Sequence, residues 1–147
     1  MMIEQEWPYN LPIWRSSHKA VSPDGKYTAE IDPANERGMG NPSDGILKIS
    51  NGQKFEECSP CFLWSSDSKF LVVPQFVTRY IIFGKQRILL INVEEKIVYA
   101  SKDYSCYIQP KSFEDGLLVA THEPYEKPET LSWNITPDLN GWTRQNS

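Results

Sequence analysis

The chain has 147 residues, with 15 Lys and Arg against 19 Asp and Glu for a formal net charge of −4. That length fits about one domain with a sizeable core, and the acidic balance offers no basic stripe to a phosphate backbone, which sets nucleic acid aside as a partner. Eleven Pro, eight Gly and an aromatic content of 12% point to a turn-rich all-β protein rather than a helical one.

The opening stretch, MMIEQEWPYNLPIW, carries acids and prolines where a secretory leader needs a positive region followed by an apolar run. The sequence holds no run of about 18 apolar residues, so the expectation is a cytoplasmic protein with no membrane partner. Its three cysteines are expected to be thiols. Residues 1–16 read as a lead-in that covers or extends a sheet edge, with Ile13-Trp14-Arg15 as its one short strand.

From residue 17 the chain repeats. Val21-Ser22-Pro23-Asp24-Gly25-Lys26-Tyr27 matches Trp64-Ser65-Ser66-Asp67-Ser68-Lys69-Phe70 position for position, and Phe113-Glu114-Asp115-Gly116-Leu117 is a looser third copy. Each reads as a hairpin in which Asp and Gly accept the positive φ of a tight turn and an aromatic or Leu returns to the core. A second hairpin follows each first one. Ile46-Leu47-Lys48-Ile49 aligns without a gap on Ile88-Leu89-Leu90-Ile91, with Asn51-Gly52 as the turn signal, and Leu131-Ser132-Trp133-Asn134-Ile135 is the third version. Two hairpins per unit and a period of about 44 residues are the proportions of a propeller blade.

The Ser-Pro-Asp-Gly-Lys turn resembles that of WD-repeat-like β-propeller blades of bacterial type, over residues 17–142, although the Gly-His and Trp-Asp signatures of WD repeats are missing. The resemblance implies a single domain of three four-stranded antiparallel blade-like sheets, residues 17–57, 58–101 and 102–142. Closed propellers have four to eight blades, so two arrangements stay open: an open stack of three sheets in a monomer, or a six-bladed ring made by a homodimer. Patterning favours the stack. Phe70-Leu71-Val72-Val73 and Ile88-Leu89-Leu90-Ile91 are apolar on both faces, whereas Tyr27, Ala29 and Ile31 alternate with Thr28 and Glu30, and Leu131, Trp133 and Ile135 alternate with Ser132 and Asn134.

Cys58-Ser59-Pro60-Cys61, with Cys106, His18 and His122, raises a zinc or redox reading. A zinc site wants a second ligand pair and thioredoxin-type chemistry wants a helix N-terminus. The pair is therefore expected to pack at the junction of the first two units, with no metal and no cofactor. No catalytic constellation stands out, because Asp24, Asp67 and Asp115 belong to turns.

The expected site is the end where the connections between second and third strands emerge. Arg79, Tyr80, Ile81, Ile82 and Phe83 in the middle connection, with Tyr125 in the third, read as a partner-binding patch; burial of Tyr80 to Phe83 as a strand extension is the other reading. By analogy with propeller-like scaffolds, the expected function is a non-catalytic protein-interaction module, such as an inhibitor or antidote. The alternative is a small hydrolase or ligand-binding protein with its site at the same end.

Overall fold

The computed structural model describes residues 2–7, 9, 17–35, 44–77, 85–105, 107–123, 129–135, 139 and 141–145. All regular structure among them is strand, as the composition requires. The strands are β1 Met2–Gln5, β2 Ser17–Val21, β3 Thr28–Asn35, β4 Asp44–Ile49, β5 Lys54–Cys58, β6 Leu63–Trp64 and β7 Phe70–Phe76. They continue with β8 Lys85–Asn92, β9 Ile97–Ala100, β10 Tyr104–Ser105, β11 Tyr107–Glu114, β12 Leu117–Glu123, β13 Glu129–Asn134 and β14 Thr143–Gln145. No helix among the described residues is long and apolar enough to cross a membrane.

The first two repeated turns have the same bonding. In the first unit the Ser22 hydroxyl donates to Asp24 Oδ1 at 2.7 Å and accepts from Tyr27 N at 3.1 Å, while Lys26 N donates to Asp24 Oδ1 at 3.0 Å. In the middle unit Ser65 donates to Asp67 Oδ1 at 2.6 Å and accepts from Phe70 N at 3.0 Å, while Lys69 N donates to Asp67 at 2.9 Å. Gly25 and Ser68 occupy the same left-handed position, at φ 77° and 65°. The third turn differs: Asp115 and Gly116 both have positive φ, 51° and 77°, which makes a two-residue hairpin between the paired Glu114 and Leu117.

The ladders correct the expectation of three separate four-stranded sheets. One network of 11 strands has the order β1-β2-β3-β4-β5-β7-β8-β9-β14, with β6 paired to β7 and β10 to β8, and β11-β12-β13 form a second sheet of three. Two local events account for the difference. A single bridge, Cys58 to Gln75, ties β5 to β7 and so joins the first unit to the middle one. Among the described residues the third unit shows three strands, and Thr143–Gln145 pairs with β9 of the middle unit. The described ladders do not close into a ring. The lead-in does extend an edge, but through Met2–Gln5, which runs parallel to β2; Ile13, Trp14 and Arg15 lie outside the described residues.

Two cores lie on opposite faces of β7 and β8. Leu71, Val73, Leu89 and Ile91 pack with Ala29, Ile31, Leu47 and Ile49 of the first unit. Val72, Ile88 and Leu90 pack with Ile108, Phe113, Leu118 and Ala120 of the third. The doubly apolar strands of the middle unit are therefore buried on both sides. The outer face of the first unit is polar: Glu30, Asp32 and Lys48 are exposed, and the register sets Lys19 opposite Glu30 and Glu30 opposite Lys48. In the third unit Ser132 and Asn134 are exposed while Leu131 and Trp133 turn inward, half-buried.

Pairing also corrects the gapless alignment of the second hairpins. Ala29 pairs with Ile49, both facing the middle unit, and Val72 pairs with Leu90, both facing the third. Ile49 thus corresponds to Leu90 and not to Ile91. A slip of one residue moves every side chain to the other face, and it places exposed Ile46 opposite in sense to buried Ile88.

Contacts between units reuse the repeat. The Trp64 indole N–H donates to the Ala20 carbonyl at 3.0 Å, and Tyr27 stacks on Trp64 with ring centres 6.4 Å apart. One unit further on, Phe70 stacks on Phe113 at 6.1 Å and Ser66 N donates to the Phe113 carbonyl at 2.9 Å. Leu117 is the corresponding residue of the third unit, and 41% of its surface is exposed.

Candidate functional site

The partner-binding residues expected from the sequence, Arg79, Tyr80, Ile81, Ile82, Phe83 and Tyr125, lie outside the described residues. The feature that the described residues do form is at the opposite end of the strands, where the hairpin turns emerge. A cleft of about 320 Å3 opens there between the middle and third units. Its walls include Phe70, Tyr99, Phe113, Ile135 and Leu139, and charged Asp67, Lys69 and Glu95 sit at its rim.

Each wall residue is placed by a local rule. Phe70 follows the Ser65 to Lys69 turn and faces the third unit because the middle unit alternates about β7. Phe113 precedes the two-residue hairpin and meets Phe70 with rings 10° from parallel. Tyr99 stands on β9 opposite Leu90, on the same face. Ile135 is drawn in by its N–H bond to the Gly116 carbonyl at 2.7 Å, and the Trp142 N to Leu139 carbonyl bond of 3.1 Å turns the chain back toward β14.

An aromatic row continues from the cleft. Trp142 meets Trp133 edge-on at 5.8 Å, Trp133 meets Tyr104 at 6.3 Å, and Tyr104 meets His122 at 5.5 Å. Lys102 Nζ lies 5.1 Å from the centre of the Tyr104 ring, within cation–π range. Burial raises the Tyr104 phenol above its ordinary value. Trp133, Trp142, Tyr104 and Tyr99 are all only half-buried; Tyr99 lines the cleft, whereas Tyr104 pairs with Gln86 at the far end of β8.

Asp67 and the two histidines are committed to structural roles. Asp67 is spent on its turn. His122 Nδ1 stands 3.9 Å from the Glu129 carboxylate across the β12–β13 ladder. His18 is 2% exposed and its imidazole is pinned on both nitrogens: Nδ1 lies 2.7 Å from the Pro60 carbonyl, which fixes the proton there, and Nε2 faces the Gln5 amide at 3.1 Å. Its ring packs on Phe62 at 4.4 Å, and burial lowers its pKa, only partly offset by the Pro60 bond. His18 therefore fastens β1, β2 and the Cys58 to Cys61 segment as a neutral group.

Cys58 and Cys61 are buried thiols, not a disulfide. Burial, then the charge of Asp44, pushes the Cys58 thiol far up, the opposite of what a redox or metal-binding cysteine needs. Cys61 Sγ lies 2.9 Å from Ser59 Oγ and 3.6 Å from the Ile108 carbonyl. The pair thus packs at the junction of the units, as its sequence context implies. Among the described residues no three His, Cys, Asp or Glu are grouped to hold a metal.

No protein-family model, no curated protein and no solved structure matches this chain. The cleft escapes sequence reasoning because it is a wedge between units whose outer strands do not match, and no local motif marks it. The signal that was available is the extra Trp of Leu139 to Trp142, which has no counterpart in the first two units.

Proposed function

We propose that the chain is a non-catalytic protein-interaction module, three blade-like layers in an open stack, that takes hold of a partner protein at the wedge between its middle and third layers. One observation carries the reading: a cleft of about 320 Å3 lined by Phe70, Tyr99, Phe113, Ile135 and Leu139 opens between these layers, and half-buried Trp133 and Trp142 pack on the same core. Rigid aromatics on a partly dry surface are what binding hot spots are made of. The polar outer face of the first layer, with Lys19 set against Glu30 and Glu30 against Lys48, supports an open stack, since ring closure by a second copy would bury those charges. A second reading, a small-ligand or hydrolase site, is favoured by the cleft volume, which is at the lower end for ligand pockets.

The test is photo-crosslinking in cells of origin with a reactive residue at Leu139 or, as control, at Ile46 on the first layer's exposed face. A discrete protein adduct from Leu139 and none from Ile46 supports the module. Equal adducts, or none from Leu139, overturn it.

A further inference from the structure

The turns around the cleft carry an unbalanced charge. Asp67 and Lys69 belong to the turn between β6 and β7, Glu94, Glu95 and Lys96 to that between β8 and β9, and Glu114 and Asp115 to the β11–β12 hairpin, all of them exposed. Acids thus outnumber lysines five to two on these three turns. Asp67, Glu95 and Lys69 stand on the rim of the cleft, and Gly116 brings the third turn to it. Turn geometry accounts for Asp67 and Asp115, but it makes no demand on the side chains of Glu94, Glu95 and Glu114. Like charges grouped in this way repel one another in the free protein, and a cation at the rim relieves that repulsion.

Below the rim the lining is apolar and aromatic. Phe70 and Phe113 stack at 6.1 Å, Tyr99 is half-buried, and Ile135 and Leu139 add aliphatic surface. The chain's own cation already uses this wall: Lys69 Nζ lies 5.4 Å from the centre of the Phe70 ring, within cation–π range. Buried Asn92 lines the cleft as well and accepts the Glu95 N–H on Oδ1 at 3.1 Å, which holds the backbone of that rim acid in place.

We propose that the cleft receives an arginine side chain of the partner protein, its aliphatic stem against Phe113, Ile135 and Leu139 and its guanidinium between the aromatic wall and the carboxylates of Asp67 and Glu95. This rests on the reading of the chain as an interaction module and names the chemistry of its partner: a positively charged surface, complementary to the acidic turns and to the net charge of −4. Arginine suits the site better than lysine, because a planar guanidinium stacks on a ring and pairs with carboxylate oxygens at once.

The test reads the sign of each charge change. The probe is a capped tripeptide Gly-Arg-Gly, compared with the same peptide carrying citrulline or glutamate at its centre, titrated into the full chain with amide resonances followed by NMR. The arginine peptide should shift Glu95, Tyr99 and Phe113 and should bind about fivefold more tightly than its uncharged citrulline counterpart. Its affinity should fall as salt rises from about 20 to about 300 mM. Glu95→Lys should weaken it about fivefold, whereas Lys69→Met, which removes the competing cation, should tighten it about threefold. Tyr99→Leu should weaken it about threefold and Tyr99→Phe should leave it unchanged, since the ring face and not the hydroxyl meets the cation. Glu95 and Lys69 are exposed, so both substitutions leave the fold intact, which an unchanged urea midpoint checks.

Equal affinity for the arginine and citrulline peptides, or loss of binding with Tyr99→Phe, would overturn the proposal in favour of an uncharged small-ligand cleft. Tighter binding of the glutamate peptide, weakened by Lys69→Met, would overturn it in favour of an anionic guest, and absence of any arginine-dependent shift at Glu95 and Tyr99 would overturn it outright. A Leu139 adduct that Glu95→Lys leaves undiminished keeps the module and discards the cationic guest; absence of the adduct from the chain without that substitution discards both.

Discussion

Leu89 and Leu90 are neighbours in β8 that face different cores, and replacing each by Ala tests whether the middle unit is covered on both sides. Leu89 is 2% exposed against the first unit and Leu90 is 0% exposed against the third. Truncation of a buried Leu costs about 2–5 kcal/mol through lost transfer energy and the cavity left behind. An exposed Leu costs about 0.5 kcal/mol or less. With a urea slope of about 1–3 kcal/mol per M, each variant should lower the unfolding midpoint by roughly 1–2 M without changing the slope. Native-state labelling of thiols adds a local reading, since Cys58 belongs to the first core and Cys61 touches the Ile108 carbonyl of the third unit. Leu89→Ala should speed labelling of Cys58 over Cys61, and Leu90→Ala the reverse. A cost below about 1 kcal/mol for Leu90→Ala would show that the third unit does not cover that face, and the two-core description would fall with it.

Three further outcomes follow from the geometry. Ser22→Ala and Ser65→Ala each leave a turn N–H without its acceptor, so chemical denaturation should register a loss of about 1–3 kcal/mol for each; a large loss in one and none in the other would break the equivalence of the two turns. Because burial holds the folded-state pKa of His18 below its ordinary 6.5, the unfolded chain takes up a proton that the folded chain resists, so this contribution is complete above about pH 6.5 and declines as the pH falls below it. A His18→Gln variant should flatten that decline, and an unchanged stability profile from pH 7 to 5 would count against it. At Gly116, φ 77°, Ala should cost about 1–2 kcal/mol, while Asp115→Asn should be neutral or slightly stabilising because Asn-Gly suits the two-residue hairpin.

The sequence made the all-β class and the burial of the middle unit legible because both are short-range properties: turn chemistry at Ser22 to Lys26 and Ser65 to Lys69, and alternation or its absence along each strand. Pairing partners are not short-range. Nothing in Thr143-Arg144-Gln145 says that it joins β9 rather than β13, and nothing in Met2 to Gln5 announces a parallel partner. The second hairpins show how little is needed to mislead. Runs such as Ile-Leu-Leu-Ile align equally well one residue out, and only the partners Ala29 and Val72 fix which face each residue takes. The cleft was illegible for the same reason, as it exists where a strand was diverted.

That diversion also changes how the third unit is held. Ala100 and Thr143 are direct register partners, so residues 101–142 form a closed excursion that leaves the middle sheet and returns to it one strand over. The third layer is sewn at both ends to one hem, beside Ala100 and Thr143. Between those ends it is fastened again, by Tyr104 and Ser105 on β8 and by the Ser66 N–H on the Phe113 carbonyl, so loosening the third layer requires the second core to open as well.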